Sequence, residues 1–167
     1  MWREQYDRMR RWHYRIWLGV EHLVGGSDQA VVDVFYAFAQ TGYHMVDWLE
    51  NDRTQTVRRA VAETYVDSRP VLAFCRDICN GSKHARLEAK RVSIRTQRMV
   101  VGSFPIKDES GQTHQHVVEG TELHVGWGEQ FVDAWTFATW CIEEWDRFLL
   151  AEGLLPPTDA RDDHRTG

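Results

Sequence analysis

The chain has 167 residues, 43% of them hydrophobic, and a formal net charge of −5 at pH 7. That length normally gives one domain with a core of its own, and the sign of the charge excludes a global basic field that would recruit nucleic acid. No apolar run approaches the roughly 20 residues needed to span a bilayer, and the charged opening Met1-Trp2-Arg3-Glu4 lacks the pattern of a signal peptide.

The three cysteines, Cys75, Cys79 and Cys141, are too few and too odd in number for a disulfide framework. They fit a reducing compartment, so the expected location is the cytoplasm. Eight Trp residues point to thick helix packing or to an aromatic-lined interface.

In chain order, Trp2, Tyr6, Met9, His13, Ile16, Val20 and Leu23 alternate spacings of four and three. This predicts an amphipathic helix from about Trp2 to Val24, ended by Gly25-Gly26. His13 alone interrupts the stripe and is expected to be a hydrogen-bonded core-edge residue. A second helix is predicted from about Asp28 to Asn51, with Val31, Val34, Phe35, Phe38, Met45 and Leu49 facing the core. Asp33, Gln40, His44, Asp47 and Asn51 fall opposite, flanked by Tyr36, Tyr43 and Trp48. Thr54 is expected to cap a third helix to about Asp67, with Val57, Ala60, Val61 and Tyr65 inward. Pro70 starts a fourth, which carries Val71, Leu72, Phe74, Cys75, Ile78 and Cys79 on its apolar side. Asn80-Gly81 either ends this helix or lies within it.

Alternation and β-branched content then predict a small antiparallel sheet over about 91–125. Its strands are expected at Arg91–Val101, Gln112–Val118 and Thr121–Val125, the last two separated by Glu119-Gly120. His114 and His116 share a strand face there, as residues of a polar strand or a chelating pair. A last helix is predicted from about Glu129 to Glu152, with Phe131, Trp135, Ala138, Ile142, Trp145 and Leu149 as its stripe. The charged stretch 157–167 has almost no apolar content and is expected to be disordered. The fold class is therefore mostly α: one helical-bundle domain over residues 1–156, with a small antiparallel sheet inserted before the C-terminal helix (α+β). Trp-rich terminal helices suit a homodimer.

Two polar triplets share the offsets of one helix face. They are His44, Asp47 and Asn51 on the second helix and Asp77, Asn80 and His84 on the fourth. If the two faces meet, the set offers a general base near pH 7 in His44 or His84. Lys83 then supplies a cation for developing phosphorane charge. From Lys83 to Arg98 there are six basic residues and one acid, Glu88. Lys83, Arg86, Lys90, Arg91 and Arg95 are thus candidate contacts to RNA or a nucleotide. Two other readings use the same residues. His44, Asp47, Asp77 and His84 give a 2-His-2-carboxylate set suited to Fe, Mn or Zn. Alternatively, His44, Asp47, Asn80 and His84 form a structural network, and the protein binds a ligand or partner without catalysis.

Tyr43-His44-Met45-Val46-Asp47-Trp48, followed by Asn80-Gly81-Ser82-Lys83-His84, resembles a widespread group of small bacterial and phage proteins with paired Tyr-His-x-x-Asp-Trp and Asn-Gly-x-Lys-His motifs. The arrangement is also similar to HEPN domains (higher eukaryotes and prokaryotes nucleotide-binding). That resemblance implies a helical bundle and a metal-independent endoribonuclease of a toxin or antiphage system, with an Arg-Asn-x-x-x-His motif assembled across a dimer. Asn80 and His84 match the motif's Asn and His, while Cys79 stands at its Arg position. The resemblance implies catalytic roles for Asn80 and His84 and no cofactor; Lys83, as the available cation, and His44 and Asp47, by their spacing, complete the candidate catalytic set.

Overall fold

The structure, a computed structural model, describes residues 1–22, 28–84, 93–108, 110–127 and 130–156. Four helices come first: α1 (Trp2–His22), α2 (Asp28–Glu50), α3 (Arg59–Ser68) and α4 (Pro70–His84). Strands β1 (Ser93–Lys107), β2 (Thr113–Trp127) and β3 (Gln130–Asp133) follow, and helix α5 (Ala134–Ala151) closes the bundle. This is the mostly helical α+β architecture expected, with an antiparallel sheet in the order β1-β2-β3 before the last helix. No helix among the described residues is long and apolar enough to cross a membrane. The expected disordered stretch 157–167 lies outside the described residues.

The stripe of α1 buries as its spacing dictates: Trp2, Tyr6, Met9 and Ile16 are all core residues. Gln5 is buried too, and its Nε2 donates to the Thr41 carbonyl of α2 at 2.9 Å. At Gly42, α2 faces α1 and α4 at the same level, with Met9 Sδ 3.5 Å and Cys75 Sγ 3.9 Å from where a Cβ would stand. Helix α5 runs along α1 through two polar contacts: the Tyr6 hydroxyl donates to Asp146, and His13 Nε2 lies 2.9 Å from Thr139 Oγ1. Phe137 of α5 packs edge-on against Phe35 of α2 and at a tilt against Phe74 of α4, with ring centroids 5.6 and 4.9 Å apart. Trp145 is fully buried beside Phe148. A side chain of this size contributes about 1.5–3 kcal/mol by leaving water, offset in part because its indole N–H finds no hydrogen-bond partner among the described residues.

The sequence expectation fails for α3 in a definite way. Thr54 caps no helix; its N–H and hydroxyl donate to Asp52 at 2.9 and 2.7 Å. Asp52 also accepts from the Trp2 N–H at 2.8 Å, and these donors hold its carboxyl below the usual range. The chain then runs extended to Arg58, so α3 starts only at Arg59. The delay rotates its buried face to Ala62 and Val66 and leaves Ala60 and Val61 exposed.

The sheet also differs. Instead of three short strands there is one long ribbon, with β2 unbroken through Glu119-Gly120 and β1 through Pro105. Gly120 pairs with Met99 inside the ladder, and a bulge at Val101 shifts the register between Val100 and Gly102. At the root, Leu123 and Val125 are buried against the bundle. Beyond the bulge Ile106 and Val117 are exposed. The turn is built on Asp108, whose carboxylate accepts from the Ser110 and Gln112 N–H groups at 2.9 and 3.0 Å and contacts His114 Nε2 at 2.7 Å. His114 thus serves the turn; His116's side chain lies outside the described residues. Residues 130–133, expected in the last helix, form β3, and Asp133 caps α5 by accepting from the Thr136 N–H at 2.8 Å.

Candidate functional site

Helix α4 does not stop at Asn80-Gly81; it continues to His84. Asn80 and His84 are therefore four residues apart on one helix, and their Cα–Cβ directions share a face. Asn80 is exposed. The side chains of Lys83 and His84 lie outside the described residues, as do Arg86, Lys90 and Arg91 altogether.

Cys79, at the position where the resemblance expects Arg, is buried in the seam between α2 and α4, and its Sγ is 3.5 Å from His44 Nε2. A side chain directed into that seam cannot present a cation to solvent. Arg76, one turn earlier, is committed elsewhere: it pairs with Asp67 and, at 2.9 Å, with Asp77.

Among the described residues, the members of the two polar triplets do not meet as face against face. Asp47 turns to α3, where Arg59 Nη1 binds its carboxylate at 2.7 Å. The same guanidinium reaches Glu50 at 3.0 Å and Glu63 at 2.6 Å. Asn51 closes its own helix, its Nδ2 donating to the Asp47 carbonyl at 2.8 Å. Tyr43 lies within the field of this network. Burial first, and then the negative charge of Glu63, raise its phenol pKa, with Arg59 and Arg76 opposing. Each of these half-exposed ion pairs is worth about 0–1 kcal/mol. An open pocket of about 250 Å³ is lined by Met1, Asp47, Trp48 and Asn51. Of the candidate catalytic residues whose side chains are described, only Asp47 borders it.

This arrangement weighs against the metal set. Asp47 and Asp77 already face guanidinium groups, and among the described residues no three His, Cys, Asp or Glu side chains are arranged to hold a metal ion. His44, the third described member, faces a thiol instead. Sequence reasoning missed Arg59 as the organiser of the α2–α3 polar face. The Arg59–Glu63 spacing of four was visible, but its reach back to Asp47 and Glu50 depends on the turn at Asp52.

A second polar surface lies on the outer face of the sheet root. Register places Arg95 and His124 opposite each other, and Gly126 opposite Phe131. The exposed Arg95 guanidinium stands 4.2 Å from the Phe131 ring centroid. His124 Nε2 contacts Glu122 at 3.0 Å. No family model matches the chain, and neither a curated protein nor a solved structure matches it.

Proposed function

We propose that the protein acts on RNA as a HEPN-like, metal-independent endoribonuclease of a defence or toxin system, working in the cytoplasm as a homodimer. The observation that carries this reading is the unbroken α4, which keeps Asn80 and His84 on one face at the spacing of the resemblance motif. The carboxylates that a metal mechanism would need are held by Arg59 and Arg76, which favours metal-independent chemistry. His84 acts as general base on the 2′-hydroxyl. Lys83 offers the positive charge, since Cys79 is buried and Arg76 is paired. Neighbouring helix positions diverge by about 100°, so Lys83 and His84 address one phosphate only when a second subunit closes over them. That requirement supports the homodimer.

Labelled single-stranded RNA tests the reading. His84→Ala is expected to slow cleavage by about 100-fold or more, with an unchanged far-UV circular dichroism spectrum. Cleavage by the variant at the parent's rate, or none by the parent in magnesium-free buffer, rejects it. A protein that binds without cleaving leaves the non-catalytic reading, in which the Asp47–Arg59 and Glu50–Arg59 pairs serve only to fix α2 against α3.

A further inference from the structure

The outer face of the sheet root carries a cation–π pair that spans all three strands. Arg95 is on β1 and Phe131 on β3, with β2 between them. The Arg95 side chain crosses β2 to reach the ring. Register puts Gly126 beside that path, directly opposite Phe131, so β2 presents no side chain at that position, while His124 stands opposite Arg95. The result is a planar cation over an aromatic face at 4.2 Å, within the range of a cation–π contact. Arg95 remains exposed, as does Gln97 two residues along the same face. The opposite face of the strands, with Leu123 and Val125, is the one that packs on the bundle.

The Arg95 guanidinium has the ring on one side, and because the side chain is exposed its remaining face and N–H groups are available to a ligand. This geometry accepts a nucleobase on the open face and a phosphate at the edge. The carboxylates on the same face are engaged: Glu122 with His124 at 3.0 Å, and Asp133 with the Thr136 N–H at 2.8 Å. Charge favours the same ligand. The chain between Lys83 and Arg98 is net +5 in a protein of −5, so a basic stretch of the sequence runs into β1. A duplex keeps its bases stacked and unavailable to such a platform; a single strand does not.

We infer that the Arg95–Phe131 pair is a stacking platform for single-stranded RNA, a base resting on the Arg95 guanidinium and Gln97 hydrogen-bonding beside it. This rests on the reading of the protein as acting on RNA and gives that activity a substrate-holding surface separate from the α4 motif.

Binding, not cleavage, tests it, so failure of the ribonuclease reading is distinguishable. Fluorescence anisotropy is measured with a labelled 12-nucleotide single-stranded RNA of mixed sequence and with its duplex, in the His84→Ala background. The single strand is expected to bind at least about tenfold more tightly than the duplex. Arg95→Gln and Phe131→Leu are each expected to weaken it about tenfold, the usual scale of one base–aromatic stack. Arg95→Lys, which keeps the charge at an exposed position but loses the planar face, is expected to weaken it nearly as much. Thermal melts confirm that each variant is folded. Equal affinity for duplex and single strand, Arg95→Lys binding like the parent, or no binding at low salt overturns the inference. Binding that follows the expected pattern in a protein that never cleaves RNA upholds the platform and rejects only the nuclease.

Discussion

His13 shows how a single residue makes a polar group tolerable at the edge of a core. Its ring stacks on Trp135 at 3.9 Å, and its Nε2 lies 2.9 Å from the Thr139 hydroxyl. Burial, helped by the positive Arg10, lowers its pKa from 6.5 to about 4. The unfolded chain therefore takes up this proton near pH 6.5 and the native protein only near pH 4. Between those values the unfolded state binds more protons, so stability falls as pH drops from about 6.5 to about 4 and is independent of this group above that window. The ring is partly exposed and solvent screens the effect, so the loss is expected to be about 1–2 kcal/mol. Urea titrations at pH 7 and pH 4.5 check it: the difference seen for the parent is expected to shrink by that amount in His13→Gln. The sequence made this residue legible because it interrupts an otherwise apolar stripe. It did not reveal what satisfies the ring, because Trp135 and Thr139 arrive from the other end of the chain.

At the scale of an element, α2 carries a glycine in its interior, a position that costs about 1 kcal/mol relative to Ala. A methyl group at Gly42 would stand 3.5 Å from Met9 Sδ and 3.9 Å from Cys75 Sγ, both ordinary van der Waals distances. Gly42→Ala is thus expected to stabilise by up to about 1 kcal/mol, raising the melting temperature by about 2–4 °C. Gly42→Leu is expected to lose about 1–3 kcal/mol by overpacking. Melting curves of the two variants check the pair of signs. Elements were legible where periodicity was long. Helices α1, α2 and α5 declare their buried faces. For α3 the expected Val57 and Tyr65 do pack on the core, whereas Ala60 and Val61 are exposed because Asp52 captures Thr54 and delays the helix to Arg59. The start of α5 was missed although its signal was present, since Asp133 three residues before Thr136 is an N-cap pattern. Glu119-Gly120 read as a break because turn residues usually mark ends. In this ribbon Gly120 continues the ladder opposite Met99.

For the whole molecule, the sequence conveyed the class and layer order but not how helices rotate against one another. Spacing assigns residues to a face; it does not say which neighbour that face meets. His44 and Asp47 were grouped with the α4 triplet, yet His44 meets Cys79 while Asp47 meets Arg59 on another helix. The Arg95–Phe131 contact was equally hidden, because it depends on β3, a strand of four residues that the helical pattern of α5 absorbed.

Cys75, Cys79 and Cys141 are 1%, 1% and 0% exposed, and the sulfurs of Cys75 and Cys141 lie 3.6 Å apart where α4 crosses α5. Burial and the neighbouring sulfur push the Cys141 thiol well above its ordinary value, so it holds almost no thiolate at neutral pH. The bundle therefore contains its own clock for breathing. A maleimide in excess is expected to label native protein only as fast as the seam opens, with all three sites reacting together as urea approaches the midpoint. Peptide mass spectrometry of quenched samples reads this directly. Rapid labelling of Cys141 in dilute buffer would mean that the crossing of α4 and α5 gapes on its own while the rest of the fold holds.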